Sequence, residues 1–243
     1  MLNACVVVGK QQASDEDIAR ANVNLATEYF RQGRFEFALD NVKKALKADP
    51  ESVEANSLSG LIYNEIGEPD LAQEYFEVAV EHVRSDSSEY GKVHNNYGVF
   101  LCKNKQMLDA EEHFLLAAEN KLYKTPELAY KNAGLCALDQ AKNKKARLFF
   151  NKALKLNSNM SGVILELAAL ELMQKNYDAA QSYSKRYAKV GVQSAKSLWL
   201  GIQIYRGMGD ANKAQKLLAQ LKREFPESNE FQQLSQGAMV LSQ

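Results

Sequence analysis

The chain has 243 residues, and four prolines and thirteen glycines among abundant Ala, Leu, Lys, Glu and Gln suit a mostly helical protein with short turns and no long disordered tract. Thirty Lys plus Arg balance thirty Asp plus Glu, so no bulk field pulls the chain toward nucleic acid or anionic lipid, and no nucleic-acid partner is expected. No run of 18 consecutive apolar residues occurs, so a spanning helix of that kind is excluded and membrane attachment would need another anchor.

At the N-terminus, Leu2, Asn3, Ala4 and Cys5 resemble the end of a bacterial lipoprotein signal, with a leucine at −3, a small residue at −1 and the cysteine that would receive the lipid. Asn3 departs from that pattern, and Met1 leaves no charged region or apolar core for secretion. Two readings stay open: a leader is encoded upstream of Met1, or Cys5 is an ordinary residue of a tail. In the first, residues 1–16 form a flexible tether, and Val6 rather than Asp after the cysteine implies, by the same resemblance, export to the outer membrane.

From residue 19 the chain repeats itself. A small residue recurs in one local setting at Ala38, Ala72, Ala110, Ala146, Ala180 and Ala214, at intervals of 34, 38, 36, 34 and 34. A bulky apolar residue follows by four at Val42, Phe76, Phe114, Phe150 and Leu218, and an alanine by seven at Ala45, Ala79, Ala117 and Ala153, which is one face of a helix. Upstream of each anchor runs a second helical stripe. It reads Leu25, Ala26, Tyr29; Ser59, Gly60, Tyr63; Tyr97, Gly98, Leu101; Ala133, Gly134, Ala137; Leu167, Ala168, Glu171; and Gly201, Ile202, Tyr205. The small member is expected where two antiparallel helices approach closely. Gly33, Gly67, Asn143, Asn176 and Gly209 mark the turns between them. Copy five departs, with Ser184 and Tyr187 where Phe and Ala are expected.

Two connections exceed the period. Arg84 to Gly91 reads as an extended solvated turn, and Thr125 and Pro126 suit an N-cap and a first helical residue. After Pro226, the run from Asn229 with Phe231, Leu234 and Met239 reads as a short helix that covers the last repeat's exposed flank.

These residues resemble the tetratricopeptide-repeat family over roughly residues 19 to 228. The resemblance implies an all-α, right-handed superhelical solenoid of six repeats, about 12 helices, with a short C-terminal capping helix. The repeats fall near 19–52, 53–86, 91–124, 127–160, 161–194 and 195–228, and the cap at 229–243 completes a domain over 17–243. In that family the first helix of each repeat lines the concave side. Repeat positions of about 5, 9 and 12 then give Val23, Thr27 and Phe30, next Ser57, Leu61 and Asn64, and next Asn95, Val99 and Cys102. The partner-binding groove is expected in the N-terminal half, with an apolar strip of Val23, Phe30, Leu61 and Val99 edged by Thr27, Asn64 and Asn95. Lys92 and Asn96 have the four-residue spacing of a chaperone-tail clamp but fall outside this register.

No catalytic or metal constellation emerges. His82, His94 and His113 show no three- or four-residue spacing to one another and no ligand spacing to a cysteine. The acidic pairs Glu111 with Glu112 and Asp15 with Asp17 read as solvated helix faces and helix-dipole partners. Glycine-rich phosphate loops and nucleophile elbows are missing from the sequence, so neither an enzyme nor a cofactor is expected.

Cys102 and Cys136 fall at repeat positions 12 and 10 in the first helices of the neighbouring third and fourth copies. Two residues are about 200° around a helix, so one side chain can point forward along the stack and the other back toward it. Two readings stay open. The pair forms a disulfide if the compartment is oxidising and the Cα atoms come within about 7 Å, or the two are buried thiols acting as small hydrophobes.

Ala21 to Gly33 (ANVNLATEYFRQG), Asn95 to Cys102 (NNYGVFLC) and Tyr130 to Leu138 (YKNAGLCAL) together resemble the type IV pilus biogenesis pilotin family, PilF or PilW. Members are outer-membrane lipoproteins that help the secretin, the pore through which the pilus passes, to localise and multimerise. The resemblance implies Cys5 as the lipid site, the periplasmic face of the outer membrane as the location, and the early-repeat groove as the secretin-binding surface. Other pilus biogenesis proteins would be further partners. The competing reading is a cytosolic tetratricopeptide adaptor or co-chaperone for another complex. Charge balance and size suit a monomer.

Overall fold

The computed structural model describes residues 14–240 in backbone and 14–234 in side chains. All regular structure among these residues is helical, in thirteen helices, and the chain divides into two compact units at Pro126 and Glu127. The first unit holds α1 (Asp15–Arg31), α2 (Phe35–Ala48), α3 (Val53–Glu65), α4 (Pro69–His82), α5 (Glu89–Lys103) and α6 (Met107–Glu119). The second holds α7 (Pro126–Asp139), α8 (Asn143–Leu156), α9 (Ser161–Met173), α10 (Tyr177–Val190), α11 (Ala195–Gly207), α12 (Ala211–Glu224) and α13 (Asn229–Val240). The fold is the expected all-α tetratricopeptide class, with three helix pairs in each unit and α13 added to the second.

Every pair is built on one turn. The left-handed residue stands five before each anchor alanine: Gly33, Gly67, Lys105, Ala141, Lys175 and Gly209, with φ between 54° and 86°. The next N–H reaches back to a carbonyl five residues earlier, as Arg34 does to Tyr29 and Asn176 to Glu171, both at 2.9 Å, and this closes the first helix. The anchor alanine's N–H then opens the second helix by bonding a carbonyl four back, as Ala38 does to Arg34 at 3.1 Å. Asn143 and Asn176 are therefore not the turn residues. Asn143 begins α8 and Asn176 immediately precedes α10, while Ala141 and Lys175 take the left-handed conformation that glycine takes at no steric cost elsewhere.

The pairs pack by reciprocal volume. A Cβ on Gly60 would stand 2.7 Å from Phe76, one on Gly98 2.8 Å from Phe114, and one on Gly134 2.4 Å from Phe150. Where the small residue is Ala26 or Ala168, the residue sixteen later is the smaller Val42 or Ser184. The anchors Ala38, Ala72, Ala110, Ala146 and Ala180 and the rings of Phe76, Phe114 and Phe150 are all buried. Full burial of each such ring stabilises by about 1.5–3 kcal/mol.

Gly91 belongs to this packing and not to a solvated turn. Helix α5 already begins at Glu89, and a Cβ on Gly91 would stand 2.3 Å from Tyr123 Cγ. Pro126 is the first residue of α7, as expected. Leu234 of α13 is buried with Leu198, Ile202 and Leu221, with Phe231 packed alongside, so α13 covers the flank of the last pair. In copy five, Glu171 stands buried where other copies place Tyr29, Tyr63 or Leu101; Arg147 pairs with its carboxylate, and Asn176 Nδ2 donates to it at 3.0 Å.

Candidate partner-binding groove

The first helices α1, α3 and α5 of the first unit form the walls of a groove of about 540 Å³. Helix α1 contributes Val23, Asn24, Thr27, Phe30 and Arg31, and α3 contributes Glu54, Ser57, Leu58 and Leu61. Glu89, Lys92, Val93 and Asn96 come from the start of α5. Phe30 is steadied by Phe35, their ring centroids 5.8 Å apart, and Thr27 Oγ1 donates to Val23 O at 2.8 Å, so its methyl side can serve as apolar wall.

Val23, Thr27, Phe30 and Leu61 thus share one groove. Asn64, Asn95 and Val99 are not among the residues that form its walls. The groove meets repeat positions 5, 9 and 12 on α1, then 2, 5 and 9 on α3, then 2 and 6 on α5. Packed helices cross at an inclination, so a straight wall meets each successive helix at an earlier position. The same slide brings Lys92 and Asn96 into the wall, with the Lys92 ammonium held by Glu89 Oε1 at 2.7 Å. Next to the groove lies a hollow of about 510 Å³ that shares Val23, Asn24 and Glu54 with it and adds Glu16, Asp49 and Glu51, with Arg20 as the one cation in its lining. That end is acidic.

The histidines hold a feature that helical spacing did not reveal. His94 of α5 and His113 of α6 face each other with Nδ1 atoms 2.7 Å apart, one donating and one accepting. His94 is buried, and Tyr90 and Tyr97 lie against the pair. Burial and the neighbouring His113 push His94 down to about 4, and burial also lowers His113, opposed by Glu112 and Asp109. The two stand on opposite helices of one antiparallel pair, α5 and α6, a juxtaposition that spacing within a single helix does not contain. Among the described residues no group of three or more His, Cys, Asp or Glu could hold a metal ion.

Cys136 is buried and Cys102 is half-buried. Cys5 lies outside the described residues.

A tetratricopeptide-repeat profile matches residues 23–90, and a second one matches 197–228. Type IV pilus assembly protein PilF of Pseudomonas aeruginosa is 33% identical over 237 residues, covering 96% of this chain and 92% of that protein. The chain belongs to the PilF family of type IV pilus biogenesis. The solved structure of Pseudomonas aeruginosa PilF superposes with a TM-score of 0.80 at 32% identity, covering 92% of this chain and 99% of that one. PilW, described as a widely conserved type IV pilus biogenesis factor, gives a TM-score of 0.78 at 30% identity, covering 89% of this chain and 98% of that one. An uncharacterised Haemophilus influenzae protein is 30% identical over 142 residues, 58% of this chain and 77% of its own length. The PilF family thus accounts for nearly the whole chain, and no described helix is long and apolar enough to cross a membrane.

Proposed function

We propose that the protein is a pilotin-like assembly factor for type IV pili, a scaffold that binds the outer-membrane secretin through the α1–α3–α5 groove and promotes its localisation and multimerisation. The observation that carries this reading is the groove itself: Val23, Phe30 and Leu61 form an apolar floor beside Thr27, Ser57 and Asn96, which can hold the polar backbone of an inserted segment. PilF and PilW, its relatives, are named for pilus assembly and biogenesis, which favours this reading over a cytosolic adaptor or co-chaperone. The acidic hollow at one end suits a secretin segment with a basic residue next to its apolar anchor.

On this reading Cys5 carries the lipid that holds a monomer to the periplasmic face of the outer membrane, where other pilus biogenesis proteins are further partners. On the same reading the oxidising periplasm suits a pairing of Cys102 with Cys136. Thiol labelling of exported, unreduced protein is expected to leave both unmodified; two labelled thiols would contradict the pairing. For the groove, pull-down of secretin by the Phe30→Ala and Leu61→Ala variants is expected to fall well below that by the unaltered protein. Undiminished capture by folded variants would reject the assignment.

A further inference from the structure

At the junction of the second and third helix pairs two buried rings meet, Phe76 of α4 stacking on Tyr97 of α5 with centroids 5.4 Å apart. Phe76 stands four after its anchor alanine and Tyr97 thirteen before the next one. The same positions at the junction of the fifth and sixth pairs hold Ser184 and Gly201, so both rings are missing there.

Neighbouring side chains restore only part of the volume: Leu217 Cδ1 lies 2.8 Å from where a Cβ on Gly201 would stand, and Tyr187 packs on the cluster that holds Ala180, Leu200 and Ile204. Tyr187 occupies the place of Ala79, but its ring lies over Gly191, where a Cβ would meet Cε2 at 2.6 Å, and its hydroxyl donates to Val192 O at 2.6 Å. What remains between α10, α11 and α12 is a hollow of about 180 Å³, with Ala188, Leu198 and Leu217 among its apolar walls. Two of the polar groups along it are already engaged: Ser197 closes the capping box with Ser194, and Gln193 donates to Glu224 at 2.6 Å. An occupant is therefore offered shape and apolar contact more than hydrogen bonds.

We propose that this hollow is a binding site for an aromatic side chain of a partner polypeptide, a ring docked where the junction of the second and third pairs supplies two of its own. An apolar cavity of about 150 Å³ is large enough for a benzene-sized ring. A polypeptide is favoured as the source because the hollow opens to solvent and exposed apolar residues of the chain stand next to it, Val192 at 86% and Val190 at 39%. Those flanks extend the contact beyond a single ring, as a protein interface does. The site lies in the second unit and shares no residue with the α1–α3–α5 groove, so failure of either leaves the other standing.

The test titrates the full chain with N-acetyl-phenylalaninamide and reads amide and methyl NMR shifts. Saturable shifts are expected at Ser184, Ala188, Leu198 and Leu217, with none from N-acetyl-alaninamide. Ser184→Phe, which returns one missing ring, is expected to weaken binding at least tenfold while raising Tm; Ser184→Leu, a smaller plug, is expected to weaken binding in the same direction. The proposal is overturned if these residues show no saturable shift or if both folded variants bind as the unaltered protein does. Binding of toluene together with exclusion of the blocked phenylalanine would overturn the polypeptide source.

Discussion

In the second helix pair Gly60 faces Phe76 and Ala79 follows it by three; in the fifth, Ala168, Ser184 and Tyr187 stand at the same places. Both pairs keep the buried anchor alanine, the left-handed turn residue five before it and the same closing hydrogen bonds. The backbone plan therefore rests on the alanine and the turn, while the ring can move from one position to another without breaking the pair. Moving it has a consequence: the second pair is tightly filled, and the fifth leaves a hollow beside α11.

The largest expected effect tests whether that filling carries stability. Phe76→Ala is expected to cost about 3–5 kcal/mol in chemical denaturation, whereas Ser184→Ala is expected to change stability by less than about 0.5 kcal/mol. Equal losses would mean that the two pairs are packed alike. Gly60→Ala comes next. Its Cβ would press on the Phe76 ring at 2.7 Å, with an expected loss of about 1–3 kcal/mol, and the double variant Gly60→Ala with Phe76→Val, which copies the first pair, is expected to recover part of it.

The turns sharpen the comparison by smaller amounts. Lys175→Gly in the fifth pair is expected to stabilise by roughly 0.5–1 kcal/mol by relieving a left-handed lysine, while Gly67→Ala in the second is expected to destabilise by about 1 kcal/mol. A loss from Lys175→Gly would show that its side chain, not its backbone, matters.

The histidine pair adds a pH term found in the first unit. His94 is held near 4 in the folded protein against an ordinary value of 6.5, so the unfolded chain binds the proton first as pH falls. Stability is therefore expected to be unaffected by this group above about pH 6.5 and to decline from there toward pH 4, with a slope of up to about 1.4 kcal/mol per pH unit. His94→Gln is expected to flatten that decline relative to the unaltered protein; identical pH profiles of Tm would remove the pair as its cause.

The repeats were legible because Ala38, Ala72, Ala110, Ala146, Ala180 and Ala214 carry the packing and hold one register in sequence. The turn residues were legible only where they are glycine. Lys105, Ala141 and Lys175 adopt the left-handed conformation because the helices on both sides require it, and their side chains give no sign of that. The groove was half legible. Val23, Thr27, Phe30 and Leu61 follow from their positions within single helices, but the slide that replaces Asn95 and Val99 by Lys92 and Asn96 comes from the inclination between helices, which no single-helix spacing contains. The exchange of Ser184 and Tyr187 was visible as a departure from the pattern, yet the hollow it leaves depends also on Gly201 in the next pair.

The groove assignment is tested most directly by the affinity of purified secretin for the unaltered protein, the Phe30→Ala/Leu61→Ala double variant and Val99→Ser, each checked for native helicity. The double variant is expected to bind at least tenfold more weakly, and Val99→Ser, outside the groove walls, to bind as the unaltered protein does. Unchanged binding by the double variant, or a comparable loss from Val99→Ser, would contradict the placement of the secretin in the α1–α3–α5 groove.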